Sequence, residues 1–421
     1  MHLIYSRNHS GNDEHPFYNI YEQYFNEAAF LWVLRSVFLN QPHISKNDMI
    51  TLEKRIQSQL EGLLSSVDIS WSICKESVGL NQAGEIFTSL YVAMNSNNLN
   101  NVETVVESGL KSESGTKELA SAMEWLPASV SNSWLKKLLK GKDLRHKYLG
   151  IKVCSFRRIN PGEALLSVLK REDCQKNNKL YASALKLAGE LKRKDSLSLI
   201  TNAVKNEDYE VCFWSNWSCI LLGLSKNVEN LKPYVFNMGK FQEQAVDICF
   251  RVLPVTMAKQ WISDLSKNTN QVRTAIRAIG ILGDPYAVNW LINKMTDSHN
   301  AKLAGESFTL ITGLDLTQNN LASKEPDNYP VIPDNDEEDH DVSLDSDENL
   351  PYPDIKNIDS SWNKIYKNFV VGKRYFMGSL ITSELLNEFM ENGSQRQRHY
   401  ASLELALRET DKPLMNTCRK N

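Results

Sequence analysis

Apolar residues recur at helical spacing along most of this chain, and the pattern predicts an all-α fold. From Phe17 to Leu39 the apolar positions repeat as one buried helix face requires, with no proline before Pro42. A second helix is predicted after Ser45, whose hydroxyl can cap the following turn. The last helical patterns lie at residues 362–369, 382–390 and 394–407.

Internal repetition is clearest between residues 149 and 316. Ser183–Gly189 aligns with Thr274–Gly280 at an offset of 91 residues, about three periods of a thirty-residue helical pair. The tetrapeptide Leu-Ala-Gly-Glu occurs at 187–190 and again at 303–306. One such pair cannot bury its apolar face alone, so the repetition predicts a stack of pairs, an α-solenoid of the HEAT kind.

Residues 334–354 form an acidic segment, with ten carboxylates and no lysine or arginine. Five of the thirteen prolines fall between 317 and 360, which argues against continuous helix there. Apolar side chains such as Leu350 and Tyr352 nevertheless alternate with the charges, and a purely solvated linker does not need them. Removing the ten carboxylates from the formal net charge of −3 leaves +7 on the rest of the chain. We therefore expect an ordered segment that lies on a compensating protein surface.

These patterns divide the chain into five stretches. We predict a polar N-terminal arm over 1–16, an N-terminal helical region over 17–148, a HEAT-like repeat array over 149–316, an acidic proline-containing segment over 317–360 and a helical C-terminal cap over 361–421.

The N-terminus lacks the apolar run of a signal peptide, and the longest apolar stretch, Ala28–Leu34, falls short of a membrane span. We therefore expect a cytoplasmic protein without a membrane span. The seven cysteines include no CxxC pair, and several lie in apolar helical patterns. They are predicted to be reduced, mostly as core residues.

Motifs for catalysis are not found in the sequence: it has no phosphate-binding loop, nucleophile elbow, zinc-protease motif or dinucleotide-binding glycine run. We predict no catalytic residue, no cofactor and no metal ligand, and an enzyme of unrecognised type stays as an alternative. Glu190 and Glu306 each follow an Ala-Gly pair, but pairing with arginines of a neighbouring repeat is preferred over a catalytic dyad. The acidic segment offers oxygen ligands to a cation but lacks the glycine and terminal glutamate of an EF-hand loop.

Arginine forks pair well with carboxylates, so a structural clamp is predicted between the acidic segment and Arg374, Arg396 and Arg398. The candidate interaction surface combines acidic-segment residues with two arginines four residues apart: Asp345, Asp347, Glu348, Asn349, Tyr352, Arg273 and Arg277. Trp214 and Trp217 are predicted to be core residues.

Basic residues cluster at 136–147 and 192–194, as they do on surfaces that follow a phosphate backbone. The clusters lack interleaved aromatic residues, and the chain has a pI near 6.3. A solvated face is therefore the preferred interpretation, and nucleic acid is not the expected partner.

Several short motifs resemble those of a bacterial family with HEAT-like repeats, a family without an assigned function that is often encoded near type VI secretion effector clusters. The resemblance extends from Glu27 to about Leu414, with serine at 346 where the family commonly has proline and tyrosine at 352 where it commonly has tryptophan. The motifs that carry it are Glu27-Ala-Ala-Phe-Leu-Trp-x-x-Arg35, Ile159-Asn-Pro-Gly162, Phe213-Trp-x-x-Trp-Ser218, Gly283-Asp-Pro285, Ala304-Gly-Glu-x-Phe308, Thr312-Gly-Leu-Asp-Leu316, Asp347-Glu-Asn-Leu-Pro-Tyr-Pro-Asp354 and Gln395-Arg-Gln-Arg398.

The resemblance implies a non-enzymatic scaffold that binds another protein, such as an adaptor or chaperone for a type VI secretion effector. An immunity protein that binds and neutralises a cognate toxin is the alternative. The family supplies no catalytic residues to carry over to this chain.

Overall fold

The computed structural model describes residues 16–80, 82–326 and 347–420. Within them the chain forms 22 α-helices and two short antiparallel strand pairs, so the predicted all-α helical-repeat fold is confirmed. The chain divides into two compact units. The first comprises the described residues up to Ser36, Ile50–Leu138 and Lys420, and the second comprises Val37–Met49 and the described residues of Leu139–Arg419.

The helices before residue 141 are Tyr18–Phe38 (α1), Lys46–Leu64 (α2), Val67–Ser77 (α3), Ala83–Asn95 (α4), Leu99–Gly109 (α5), Glu113–Trp125 (α6) and Ala128–Lys140 (α7). The helices that follow up to residue 312 are Leu144–Arg157 (α8), Glu163–Lys170 (α9), Glu172–Gln175 (α10), Asn178–Glu190 (α11), Leu197–Asn202 (α12), Tyr209–Leu221 (α13), Val228–Phe236 (α14), Gln242–Val252 (α15), Val255–Ser266 (α16), Val272–Leu282 (α17), Val288–Lys294 (α18) and Ser298–Thr312 (α19).

The rest of the second unit contains Ala322–Ser323 (β1), Tyr352–Pro353 (β2), Ile355–Ile365 (α20), Tyr375–Phe376 (β3), Ser379–Leu380 (β4), Ser383–Asn392 (α21) and Gln395–Arg408 (α22). Short 3₁₀ turns lie at Val78–Leu80, Lys194–Ser196, Ser225–Asn227, Thr269–Gln271, Pro285–Ala287 and Tyr366–Asn368. The predicted closing helix at 394–407 therefore corresponds to α22, where Ser394 and Gln397 form a capping box.

The core of the first unit is built around an aromatic cluster. Trp32 stacks on Phe87 with 3.6 Å between ring centroids, and Trp125 meets Trp32 edge-on at 5.5 Å. The guanidinium group of Arg35 lies over both indoles and donates to Glu53 at 2.7 Å, so its buried charge is paired. The Trp-x-x-Arg part of the first motif is thus explained by core packing.

In the second unit the longer helices form two runs of neighbours, α8–α11–α13 and α15–α17–α19. Each of the intervening helices α12, α14, α16 and α18 packs against the helix that follows it. The resulting pairs stack in chain order, as the sequence repetition predicts. Helix α22 packs on α13 and α15, which lie at the adjoining ends of the two runs.

Close helix contacts recur at the aligned repeat segments. A Cβ atom added at Gly189 would lie 2.6 Å from Cβ of Ser218, and one at Gly280 would lie 3.1 Å from Cβ of Ser307. Both serine hydroxyls donate to the carbonyl oxygen four residues before the facing glycine, at 2.8 Å and 3.0 Å. The two alignable glycines therefore occupy equivalent positions, where only a hydrogen side chain lets the neighbouring helix approach.

The C-terminal segment after residue 370 satisfies carbonyl groups at the C-terminal ends of several helices. The guanidinium group of Arg374 donates to Leu282 O at 3.0 Å and to Arg251 O at 2.9 Å, at the ends of α17 and α15. Met377 N donates to Leu310 O in the last turn of α19, and Leu414 N donates to Glu190 O at the end of α11. Helix ends leave such carbonyls without partners, so this segment completes the hydrogen bonding of the stack.

We predict that Gly189→Ala destabilises the protein, because its new methyl group collides with α13. The expected loss is about 1–3 kcal/mol of unfolding free energy, measured by chemical denaturation. Gly239→Ala is the matched control, since a Cβ atom there meets nothing within 4 Å. Ser218→Gly should recover part of the loss in the double variant; equal stabilities of the two alanine variants would contradict the close contact.

Candidate functional site

Charged side chains recur with the helical-pair period on one face of the second unit. Glu243 and Asp247 are four residues apart on α15, and Arg273 and Arg277 follow thirty residues later on α17. Residues four apart share one helix face, so the two pairs face each other across the α15–α17 contact. Together they border a pocket of about 290 Å³ lined by Met238, Gln242, Glu243, Val246, Asp247, Asn270, Arg273, Thr274, Arg277 and Ile281. We call it the α15–α17 pocket.

Both arginines of the candidate interaction surface lie at this pocket and pair with carboxylates. Arg277 forms an ion pair with Glu243, and Arg273 forms one with Asp347. Burial lowers the pKa of Arg277, but the nearby carboxylates of Glu243, Asp347 and Glu306 outweigh it, and the pKa is raised overall. Arg277 therefore keeps its positive charge at the pocket.

The described end of the acidic segment lies on helices α17 and α19. Asp347 is 4% exposed and binds Arg273, while Lys302 of α19 donates to the backbone carbonyl of Glu348 at 2.9 Å. The side chain of Asn349 donates to Gln41 at 2.9 Å. The face formed by Arg273 and Lys302 thus holds an acidic turn, closed by the hydrogen bond from Leu350 N to Asp347 O, by one carboxylate and one backbone carbonyl. We call it the α17–α19 face.

Further along, Tyr352 and Pro353 pair with Ser323 and Ala322 in an antiparallel register, which anchors the segment to the chain beyond α19. The expectation of an ordered segment on the protein surface is met over residues 347–354. Asp345, the remaining acidic member of the candidate surface, lies outside the described residues.

The three arginines of the predicted clamp have described partners outside the acidic segment, and residues 334–346 of that segment lie outside the described residues. Arg374 donates to both carboxylate oxygens of Glu404, at 3.0 Å and 2.8 Å. Arg396 donates to both oxygens of Glu306, at 2.7 Å and 2.8 Å. Arg398 donates to Gln395 and to Met390 O. In the described chain, the acidic segment is held by Arg273, which the sequence assigned to the interaction surface.

Glu404 of α22 lies at the centre of a buried ionic cluster. Its carboxylate is only 3% exposed and is contacted by Arg374, by Arg251 at 3.7 Å and by Arg408 at 3.3 Å. Arg251 also lies over the ring of Tyr400, 4.3 Å from its centroid. The cluster fixes α22 on the ends of α15 and α17, next to the α15–α17 pocket.

Glu190 pairs with an arginine of the neighbouring repeat, as the sequence predicts, whereas Glu306 pairs with an arginine of the C-terminal cap. Glu190 is 2.9 Å from Arg158, which ends the neighbouring α8, and Glu306 binds Arg396 of α22. Trp214 and Trp217 are 8% and 5% exposed, which confirms them as core residues.

All seven cysteines are free thiols, and five of them are buried, as predicted. Burial raises the pKa of Cys74 and of Cys154 to about 12 each, so both stay protonated. Lysine and arginine residues of the two basic clusters also have local partners. Arg193 pairs with Asp195, Lys194 pairs with Asp411, and Lys147 donates to Leu139 O.

Sequence reasoning missed Glu243, Asp247, Lys302 and Glu404. A usable signal existed for the first three, because charged pairs at i and i+4 recur at 243/247, 273/277 and 302/306, about one helical-pair period apart. No comparable signal marks Glu404, whose partners Arg374 and Arg251 lie in distant parts of the sequence.

No known family model matches the sequence, and neither does any curated protein. The resemblance to the HEAT-like bacterial family therefore stays a prediction. None of the helices in the described ranges is both long and apolar enough to cross a membrane. Likewise, no group of three or more histidine, cysteine, aspartate or glutamate side chains in those ranges is placed to hold a metal ion.

We predict that Glu404→Gln strongly destabilises the second unit. It would leave the charges of Arg374 and Arg251 without their buried counter-ion, which typically costs about 3–5 kcal/mol. Denaturation followed by circular dichroism measures the change. Glu172→Gln, at an ion-paired glutamate that is 81% exposed, should change stability by less than about 0.5 kcal/mol. Equal stabilities of the two variants would contradict the stabilising role of the Glu404 cluster.

We also predict acid sensitivity at His399, which bonds to Leu39 O at 2.9 Å and to the hydroxyl of Thr417. Burial lowers its pKa below the ordinary value of 6.5. The positive charges of Arg398 and Arg396 also lower this pKa, whereas the negative charge of Asp247 raises it. Below pH 6.5 the unfolded chain therefore binds more protons than the folded chain, so stability falls as pH falls.

The slope from this histidine is at most about 1.4 kcal/mol per pH unit. Denaturation midpoints measured between pH 7.5 and 5.0 should therefore fall more steeply for the wild-type chain than for His399→Asn. His43→Asn, at an exposed histidine, should keep the wild-type slope. Parallel slopes for the wild-type chain and His399→Asn would refute this role.

Proposed function

We propose that this protein is a non-enzymatic interaction scaffold whose α17–α19 face binds a short acidic segment of another protein, folded there as a turn. The observation that carries the proposal is the docking of the chain's own residues Asp347–Asn349 on that face. Arg273 takes a carboxylate and Lys302 takes a backbone carbonyl, and these two contacts fit a peptide turn with an acidic residue at its first position.

The contacts of the docked turn support recognition of a peptide more than catalysis. Charge-assisted hydrogen bonds from arginine to carboxylate are strong and directional, whereas the lysine contact to a carbonyl is independent of the side chain at that position. The face would therefore select an acidic side chain at the position of Asp347 and accept different side chains at the position of Glu348. Selectivity at a single acidic position suits a scaffold whose partner carries a short acidic motif.

A labelled peptide with the sequence of residues 341–354 tests this proposal by fluorescence anisotropy. The chain's own segment competes at an effective concentration in the millimolar range, so Asp347→Asn in the protein should raise the affinity for the added peptide several-fold. In that background, Arg273→Gln should weaken binding by about tenfold or more, because it removes a charged hydrogen-bond partner.

Two controls sharpen the test. Arg171→Gln removes an exposed, carboxylate-paired arginine elsewhere and should leave binding unchanged. In the peptide, Asp347→Asn should abolish most of the binding, whereas Glu348→Gln should not, since only its backbone carbonyl is held. Binding that ignores both Arg273→Gln and the peptide's Asp347→Asn would overturn the proposal.

An adaptor for a type VI secretion effector and a toxin-neutralising immunity protein are two specific forms of this scaffold. Both rest on the family resemblance, and contacts of the described residues favour neither. Copurification of an effector with the chain from its host would support the adaptor, while sensitivity of a deletion strain to its siblings would support the immunity protein. We place the scaffold in the cytoplasm, where seven free cysteines stay reduced.

A further inference from the structure

The α15–α17 pocket carries both signs of charge within reach of solvent. The side chains of Glu243 and Asp247 are 70% and 49% exposed, and those of Arg273 and Arg277 are 34% and 32% exposed. Carboxylates come from one helix and guanidinium groups from the next. A ligand in the pocket therefore meets an acidic wall on α15 and a basic wall on α17.

Apolar side chains complete the pocket between these walls. Val246 and Ile281 are 2% and 8% exposed and belong to the core, while Met238 is 71% exposed and lines the pocket as well. The volume of about 290 Å³ lies at the small end of the range for small-molecule sites, which begins near 300 Å³. The pocket is thus sized for a small metabolite with a short apolar part.

We propose that the α15–α17 pocket binds a free α-amino acid as its zwitterion. The carboxylate of the ligand pairs with Arg277, its ammonium group pairs with Glu243, and its side chain lies against Val246 and Met238. Asp247, which also pairs with Arg251 at 3.2 Å, adds negative charge beside the ammonium group. The inference goes beyond the peptide-binding scaffold and does not depend on it, since Lys302 and the docked acidic segment take no part.

The ion pair between Arg277 and Glu243 explains why the ligand must carry both charges. A partly exposed ion pair adds little to stability, so a ligand can separate it at small cost. A zwitterion then gives each separated group a new partner of opposite charge. An amine would pair with Glu243 and leave Arg277 without its partner. A carboxylic acid would pair with Arg277 and leave Glu243 without its partner.

Isothermal titration calorimetry of the full chain with each of the twenty free L-amino acids tests the proposal. At least one amino acid should bind. Its decarboxylated amine and its deaminated carboxylic acid, which keep the same side chain, should each bind at least tenfold more weakly. For leucine these analogues are 3-methylbutylamine and 4-methylpentanoate.

Variants locate the binding in the pocket. Glu243→Gln and Arg277→Gln should each weaken binding at least tenfold, and Glu243 is so exposed that its replacement leaves the fold intact. The matched controls Glu172→Gln and Arg171→Gln alter exposed ion-paired residues elsewhere and should bind as the wild-type chain does. Arg273 is left unchanged because it also borders the α17–α19 face.

Three results would each overturn the proposal. They are the absence of binding by all twenty amino acids, equal binding of the amine or the acid analogue, and unchanged binding by both Glu243→Gln and Arg277→Gln. None of them bears on the peptide test at Arg273 and Asp347, so the two proposals fail independently.

Discussion

Carbonyl groups at the C-terminal ends of stacked helices need partners, and this need shapes the second unit. Helices α11, α15, α17 and α19 end on a common side, where the C-terminal segment supplies donors from Arg374, Met377 and Leu414. Lys192 makes a similar contact with carbonyl groups: its ammonium group donates to Leu221 O at the end of α13 and to Ala406 O in α22. The segment is therefore part of the stack.

The contacts of the C-terminal segment also determine which surface of the second unit is left uncovered. With α22 fixed by the Glu404 cluster, Arg396 is committed to Glu306, and the ends of α15 and α17 are covered. Charged residues nearer the N-terminal ends of α15 and α17 remain at the surface, where they form the α15–α17 pocket. The docked acidic turn then occupies the adjacent α17–α19 face through Arg273. Along α15 and α17, the charged groups that hold the structure together therefore lie near the C-terminal ends. The charged groups that line the pocket lie nearer the N-terminal ends.

Much of the helical architecture was predictable from local signals. Capping at Ser45 and Ser394, the aligned glycines and the apolar faces all act over a few residues, so a single sequence reveals them. The burial of Trp214 and Trp217 follows from the same periodicity.

The pairings of the site were harder to predict, because they join residues far apart in the sequence. The sequence predicts that Arg374, Arg396 and Arg398 clamp the acidic segment, but charge alone does not distinguish that segment from Glu404 or Glu306, which pair with Arg374 and Arg396. Only the three-dimensional placement of α22 selects among carboxylates. The spacing of Glu243 and Arg273 by one repeat period is a signal in the sequence that could have indicated the pocket.

Hydrogen–deuterium exchange of the native full-length chain tests most directly whether the C-terminal segment is part of the helical stack. The amides of Tyr375, Met377, Gly378 and Leu414 donate to carbonyls of the stack or of the turn that follows α17. If the segment completes the stack, these amides should exchange as slowly as the central amides of α15 and α17, in one cooperative opening. Exchange faster by several orders of magnitude, with α15 and α17 still protected, would show a loosely attached tail and contradict the account.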